Sequence, residues 1–306
     1  MIELIATAES LEQGLALLEA GVDCLVVGEA DYGLRLPGYL SFEEMGELVE
    51  IAHSKDKKVA IDASAILHND KINRARDFLK KAKATGADLL VVGDTGLIQI
   101  LKEEEYSMPY IYDASVLVTS SGQVNFWAKY GAVMAKVAME VPYVELIDMA
   151  AGSQLPLIYQ VYGASCIHQS GRRLLDNYFN FIGKDLSELS EHDLNLSVPK
   201  EDDTHYSIFQ DSHGTHIFAN NDLNLMTELE KLHQIAIDKW YLDGIYCPGQ
   251  NFVEIARCFG EARDLITSDH LTNTQLEQLN EKVKQLHPNN RDLSLGFFEY
   301  DRETVQ

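Results

Sequence analysis

The run Leu157 to Arg173, LIYQVYGASCIHQSGRR, carries an apolar, β-rich stretch into a glycine and sets Cys166, His168, Arg172 and Arg173 just past its end. A thiol near an imidazole can do nucleophilic chemistry, with Cys166 attacking and His168 or a nearby histidine taking the proton. The two arginines suit carboxylate or phosphate groups. The pair alone is a weak signal, because a small cysteine at a loop commonly serves packing. A second cluster, Gln210-Asp211-Ser212-His213-Gly214-Thr215-His216, follows His205. It shows no third ligand at a recognisable metal spacing, so hydrogen bonding that fastens this segment is the expected role and no metal site is expected. Glu140 ends the apolar run AVMAKVAM, where an unpaired carboxylate is costly, so it is expected to be functional or paired with arginine. The catalytic candidates are therefore Glu140, Cys166 and His213, with Arg35, Asp62, Asp113, Arg172, Arg173 and His216 as candidate substrate contacts. Cys24 and Cys258 fall within strand and helix signals and are expected in the core, whereas Cys247 is expected to approach Cys166.

These residues need a scaffold, and the chain alternates strand and helix signals. Ile2 to Ala6 is a short apolar run, after which Ser10 opens LEQGLALLEAG with leucines at helical spacing. The same unit recurs with strands at Cys24 to Val27, Lys58 to Ala63, Leu89 to Val92, Pro109 to Tyr112, Val133 to Ala138 and Pro156 to Val161. A long polar insertion, about 164–222, delays the eighth strand, Lys239 to Asp243, which precedes the helix Asn251 to Ile266. This order predicts an α/β (β/α)₈ barrel, in which the candidate residues lie in loops on the C-terminal rim. The near copies EAGVDCLVVG and ATGADLLVVG support a repeated unit. The loop after the first strand, TAESLEQG, lacks a dinucleotide fingerprint, which argues against a doubly wound sheet. The barrel domain is placed at 1–268, with a C-terminal extension at 269–306. Within that extension Gln275 to Leu286 reads as an amphipathic helix, and LSLGFFEY is too apolar for a solvated end and should dock on the barrel or on a neighbouring subunit.

The net charge of −23, from 48 acidic and 25 basic residues, opposes direct attraction to nucleic acid or anionic membranes. No apolar run approaches the roughly 20 residues of a membrane span, and MIELIATAES lacks the pattern of a signal peptide, so a cytoplasmic protein with reduced thiols is expected.

VYGASCIHQSGRRLL resembles the signature of peptidase family U32, in which a strand end is followed by Gly, two small residues, Cys and then Ser-Gly-Arg-Cys. AIDASAILHND, GADLLVVGDTGL, VNFWAKYGA, AMEV and DSHGTHIFANNDLNL are similar to further blocks of that family, in its order, from about residue 2 to 268. The resemblance implies a (β/α)₈ barrel. It also implies one of two activities: collagenase-like proteolysis, or oxygen-independent and prephenate-dependent hydroxylation of RNA bases and ubiquinone precursors. Hydroxylating members hold an iron–sulfur cluster on four cysteines. Carried over one by one, the first is Cys166, the second is Arg173, the third has no counterpart between Arg173 and Ser212, and the fourth is Asn224. No cluster is therefore expected in this subunit. The family's Ser-Thr-Gln and downstream Asn read Asp113-Ala114-Ser115 and Leu117 here, which weakens any inherited substrate contact. Length and the wording HQSGRRLLDNYF look like a short Gram-positive paralogue. The expected role is partner to a longer, cluster-bearing paralogue in 5-hydroxylation of the tRNA wobble uridine, reaching tRNA only through that partner and contacting neither membrane nor DNA. A peptidase, and a non-catalytic scaffold that binds a small anion through Arg35, Arg172 or Arg173, are the alternatives.

Overall fold

The computed structural model describes residues 1–113, 118–184, 194–197, 204–268 and 272–301. Strands β1 (Glu3–Thr7), β2 (Cys24–Gly28), β3 (Lys58–Ala63), β4 (Leu89–Val92), β5 (Tyr110–Tyr112), β6 (Ala132–Lys136) and β7 (Leu157–Gly163) pair in parallel, each with the next. The insertion holds β8 (Cys166–Ser170), β9 (Asn195–Leu196), β10 (Tyr206–Asp211), β11 (Gly214–Phe218) and β12 (Asn221–Asn224). The eighth barrel strand, β13 (Lys239–Leu242), pairs with both β7 and β1 and closes the ring. Closure leaves no free edge among these eight strands, and seven of them are nearly all buried, as the apolar runs required.

The helices around the ring are α1 (Leu11–Glu19), α2 (Phe42–Ser54), α3 (Asn69–Ile72), α4 (Ala75–Ala84), α5 (Thr95–Ile100), α6 (Ser121–Ala128) and α7 (Tyr143–Gly152). They continue with α8 (Leu174–Ile182), α9 (Leu229–Gln234), α10 (Gln250–Thr267) and α11 (Asn273–Leu286). Starts are fixed locally: Ser41 with Glu44, Ser120 with Gln123 and Thr272 with Gln275 form capping boxes on α2, α6 and α11. α3 and α4 are separate helices, because the chain turns at Asn73 and Arg74 before Ala75, Phe78, Leu79 and Ala82 take up one buried face. The ring packs on its helices through one large core, while Ile5, Cys24, Val26, Ala60, Leu89, Val91, Ile111, Ile158 and Tyr241 fill its interior.

The polar insertion is mostly sheet. Strands β8, β11, β10 and β9 form a second, antiparallel sheet with α8 packed on it, and β12 returns antiparallel to the end of β7. Gly163 lies where β7 and β13 approach: at φ +108°, a Cβ there would stand 2.1 Å from the Asp243 carbonyl oxygen. Only glycine fits such a backbone contact.

The C-terminal segment docks on the chain itself. β14 (Asp292–Ser294) pairs with β12, and Phe298 is fully buried against Tyr143 and Tyr159. Arg291 enters between the two units. It donates to both Asp222 carboxylate oxygens and to Ser207 Oγ, and its guanidinium lies 4.2 Å from the Tyr246 ring centre. His287 extends the network, with Nδ1 2.7 Å from Tyr162 Oη and Nε2 3.6 Å from Asp222. Among the described residues, no helix is long and apolar enough to cross a membrane.

Candidate functional site

Side chains alternate along a strand, so a residue two positions beyond an inward-facing apolar one also faces inward. At the C-terminal end of the ring that rule collects the polar residues. Asp62 follows Ala60, Asp113 follows Ile111, Lys136 follows Met134, Gln160 follows Ile158 and Asp243 follows Tyr241. Thr7 stands in the same relation to Ile5, and its hydroxyl accepts from the Gly244 amide at 2.9 Å. The last inward layer of the barrel is thus a set of carboxylates around one lysine. Lys136 Nζ is 3.2 Å from Asp113 Oδ2 and 3.8 Å from the centre of the Tyr241 ring, so the cation is held by an ion pair and an aromatic face together.

Three of these groups have their chemistry altered by the setting. Burial pushes the Asp62 carboxyl up to about 6, although it accepts from the amides of Leu34 and Ser64 and from Ser64 Oγ. Burial also pushes Asp243 up to about 6, opposed by Lys136 and by the Ile245 amide at 2.9 Å. The Tyr241 hydroxyl is raised well above its ordinary value by burial and the surrounding carboxylates. Two carboxyls that titrate near neutrality can each give or take a proton there.

The insertion covers this layer and is tied to the rim. Arg35, at φ +54°, donates to Gln169 Oε1 of β8 at 2.7 Å. His213 Nε2 is 3.1 Å from the Ala30 carbonyl oxygen, and Lys71 Nζ is 3.4 Å from His213 Nδ1. Burial and the Lys71 cation lower the His213 pKa, which keeps a neutral imidazole in that contact. This is the fastening role expected of the Gln210 to His216 cluster.

The structure therefore separates the sequence candidates. Arg35, Asp62 and Asp113 lie at the mouth, and His213 fastens its cover. His216 does not reach the mouth: it is completely buried in the small sheet, with Nε2 2.9 Å from Asp211 Oδ1. Burial works to raise the Asp211 carboxyl, but His216 and the His213 amide outweigh it and hold it below its ordinary value. Glu140 is exposed in the turn after β6, so it carries no desolvation cost that would demand an arginine. Cys166 is buried against Ala164, Phe209 and Phe218, and its Sγ is 3.4 Å from the His168 carbonyl oxygen. Burial pushes that thiol up, with Arg35 opposing. Arg172 and Arg173 are exposed before α8, and Arg173 pairs with Asp176 at 2.5 Å. Cys24 lies inside the barrel and Cys258 in the helical layer, as expected. Cys247 packs in the main core, in a different cluster from Cys166, and all four thiols are free. Ala114, Ser115 and Leu117 lie outside the described residues. The residues missed from sequence are Lys136, Gln160, Tyr241 and Asp243, whose signal was a lone polar residue in an apolar strand.

The positions to which the resemblance assigned cluster ligands hold one thiol, one guanidinium and one carboxamide. Asn224 Nδ2 is spent on Asn280 Oδ1 of α11 at 2.7 Å. This donor set does not fit a cluster that requires four thiolates.

A closed eight-stranded parallel ring with its polar residues gathered at the C-terminal mouth defines a TIM-type barrel. The family model of peptidase family U32 matches residues 9–306, and the chain belongs to that family. It is 32% identical over 306 residues to tRNA hydroxylation protein P2 of Bacillus subtilis (strain 168), covering 99% of this chain and 98% of that protein. It is 22% identical to tRNA hydroxylation protein P1 of the same organism, covering 97% of this chain and 71% of that longer protein. In fold it is similar to the solved U32 peptidase Mk0906, with a TM-score of 0.51 at 16% identity over 79% of this chain and 92% of that one.

Proposed function

We propose that this chain is a subunit of a tRNA-hydroxylating system. It acts beside a longer, iron–sulfur member of its family in prephenate-dependent 5-hydroxylation of the wobble uridine, and holds no cluster of its own. The end-to-end similarity to a tRNA hydroxylation protein of almost equal length carries this reading. The occurrence of a short and a long relative in one organism supports a paired system. The charge of −23 suits a subunit that leaves the grip on RNA to its partner, and the donor set at Cys166, Arg173 and Asn224 supports the lack of a cluster. Within the subunit, Lys136, Asp62 and Asp243 are the groups placed to hold a small ligand and exchange protons with it. The peptidase reading is less favoured, because a thiol raised by burial and donating to a backbone carbonyl is poorly prepared as a nucleophile.

The test is a mass spectrum of tRNA nucleosides from a strain lacking the gene. Loss of 5-hydroxyuridine derivatives, restored by the gene, is expected. Unchanged modification would reject the proposal.

A further inference from the structure

The groups at the mouth are shut in. Asp62, Asp113, Gln160 and Tyr241 are each at most 7% exposed, so a ligand can reach them only after something above them moves. What lies above them is the small sheet. Its pairing sets Gln169 opposite His216 and His216 opposite Phe209, and Phe209 shares a cluster with Cys166, Phe218, Ile245 and Tyr246. These residues form its underside, whereas Gln210 and Thr215 face α8 on its back and accept from the Leu175 and Leu174 amides. Arg35 stands between the two layers: against burial, its charge draws down the Cys166 thiol of the underside and the Asp243 and Tyr241 groups of the barrel.

The two margins of this roof are held differently. Beside β7 and β13 it is anchored. The chain crosses there twice, from Gly163 to Cys166 and from Phe218 to Asn221, the apolar cluster packs on Ile245 and Tyr246, and Arg291 joins Ser207 to Asp222 in a buried ion pair. Across the mouth, at the loop after β2 and at α3, side-chain hydrogen bonds hold it. Arg35 donates to Gln169 Oε1 at 2.7 Å, Ser212 Oγ donates to the Ala30 carbonyl oxygen at 3.4 Å, and His213 Nε2 is 3.1 Å from the same oxygen. Lys71 Nζ donates to the Asp31 carbonyl oxygen at 2.9 Å and lies 3.4 Å from His213 Nδ1. The Ser212 and His213 bonds are exposed, so water replaces either partner when they part, whereas parted apolar surface gains nothing from water. The margin at Ala30 and Arg35 is therefore the one that opens first.

We propose that the small sheet is a hinged roof, latched by Arg35 on Gln169 and by His213 on the Ala30 carbonyl, and that it lifts from the latch side to admit the ligand of the mouth. This rests on the reading above that Lys136, Asp62 and Asp243 hold a small ligand. The latch is joined to that site through two adjacent residues. The Leu34 amide donates to Asp62 Oδ1 at 3.0 Å, and Arg35 follows at φ +54°, a state that a residue other than glycine keeps only where its surroundings hold it. Parting Arg35 from Gln169 removes one of those holds directly beside Asp62.

The experiment acetylates the lysines of the full chain lightly with acetic anhydride. Mass spectrometry reads the rate at Lys136, whose side chain is 14% exposed beneath the roof, against that at the exposed Lys129. His213→Ala and Gln169→Ala weaken the latch, Ile98→Val on α5 weakens the main core instead, and thermal melts establish that each variant folds. At least a threefold rise at Lys136 is expected in both latch variants, with Ile98→Val no faster than the unaltered chain. Equal rates at Lys136 in the latch variants and the unaltered chain would overturn the roof, because access would not pass through the latch. A rise in Ile98→Val as large as in the latch variants would overturn it too, since Lys136 would then be reached by general unfolding. The labelling reports the roof whatever the ligand proves to be, whereas the modified uridine of a Lys136→Met strain tests the reading of the mouth separately.

Discussion

At the scale of single residues, the mouth of the barrel holds more buried carboxylate than buried cation, and two of its acids show it. Asp62 and Asp243 have folded pKa values near 6, above the ordinary 3.8. A carboxyl raised in this way takes up a proton on folding, so it weakens the fold as pH climbs from about 4 to about 6 and weakens it fully above that. Asp62→Asn keeps an acceptor for the Leu34 and Ser64 amides and removes the charge. It should stabilise the protein by about 1–2 kcal/mol at pH 7.5 and by nothing at pH 4. Urea unfolding at both pH values tests this, and a gain that does not depend on pH would contradict it. Lys136 is the opposite case, since Lys136→Met removes the charge that faces Asp113 and the Tyr241 ring. A loss of about 3–5 kcal/mol is expected on the precedent of broken buried pairs. Lys136→Arg should keep more stability, and the tRNA of a strain carrying Lys136→Met should lack the modified uridine. Lys136 shows what the sequence left hidden. Read as part of the apolar run AVMAKVAM, it looked like strand interior, whereas the period-2 rule applied from Met134 would have turned it inward. Glu140, four residues on, looked buried by the same reasoning and is exposed, because β6 ends at Lys136.

At the scale of elements, the strands were legible because a strand buried on both faces must be a continuous apolar run, and each such run forms its strand. The small sheet was not, since the residues it buries include Ser207, Gln210, Thr215 and His216, so no apolar run marks its strands. The tail was legible only in part: LSLGFFEY had to dock, but the arginine that fixes it lies upstream in a polar loop. Arg291 is nearly fully buried with Asp222, and the pair joins the tail to β12. Arg291→Ala should leave a buried carboxylate with one cation fewer and destabilise the protein by about 3–5 kcal/mol. Asp222→Ala should cost a similar amount, and the double variant less than the sum, because the remaining charge is then gone. A double-mutant cycle by urea unfolding measures the coupling, and strict additivity would show that Arg291 acts through packing on Tyr246 alone.

At the scale of the whole molecule, the family and barrel class were legible because one motif and eight strand signals agreed, while assembly was not, because charge and apolar surface point outward to molecules the sequence does not contain. The acidic balance nevertheless makes a firm statement about RNA. Each phosphate contact releases counterions, so affinity for tRNA falls steeply with salt in proportion to the number of cations engaged. A chain with 48 acidic and 25 basic residues has little to offer that count unless its cations are gathered on one face. Along α4 they are not free to gather, since Arg76 is held by Glu103 and Lys80 by Glu105. The chain alone should therefore retain no tRNA in filter binding at physiological salt, and a complex with the longer U32 protein proposed above as its partner should show the same slope of log affinity against log salt as that protein by itself, within about one unit. A slope steeper by several units in the complex would mean that this subunit contributes phosphate contacts, and would move the RNA surface onto it.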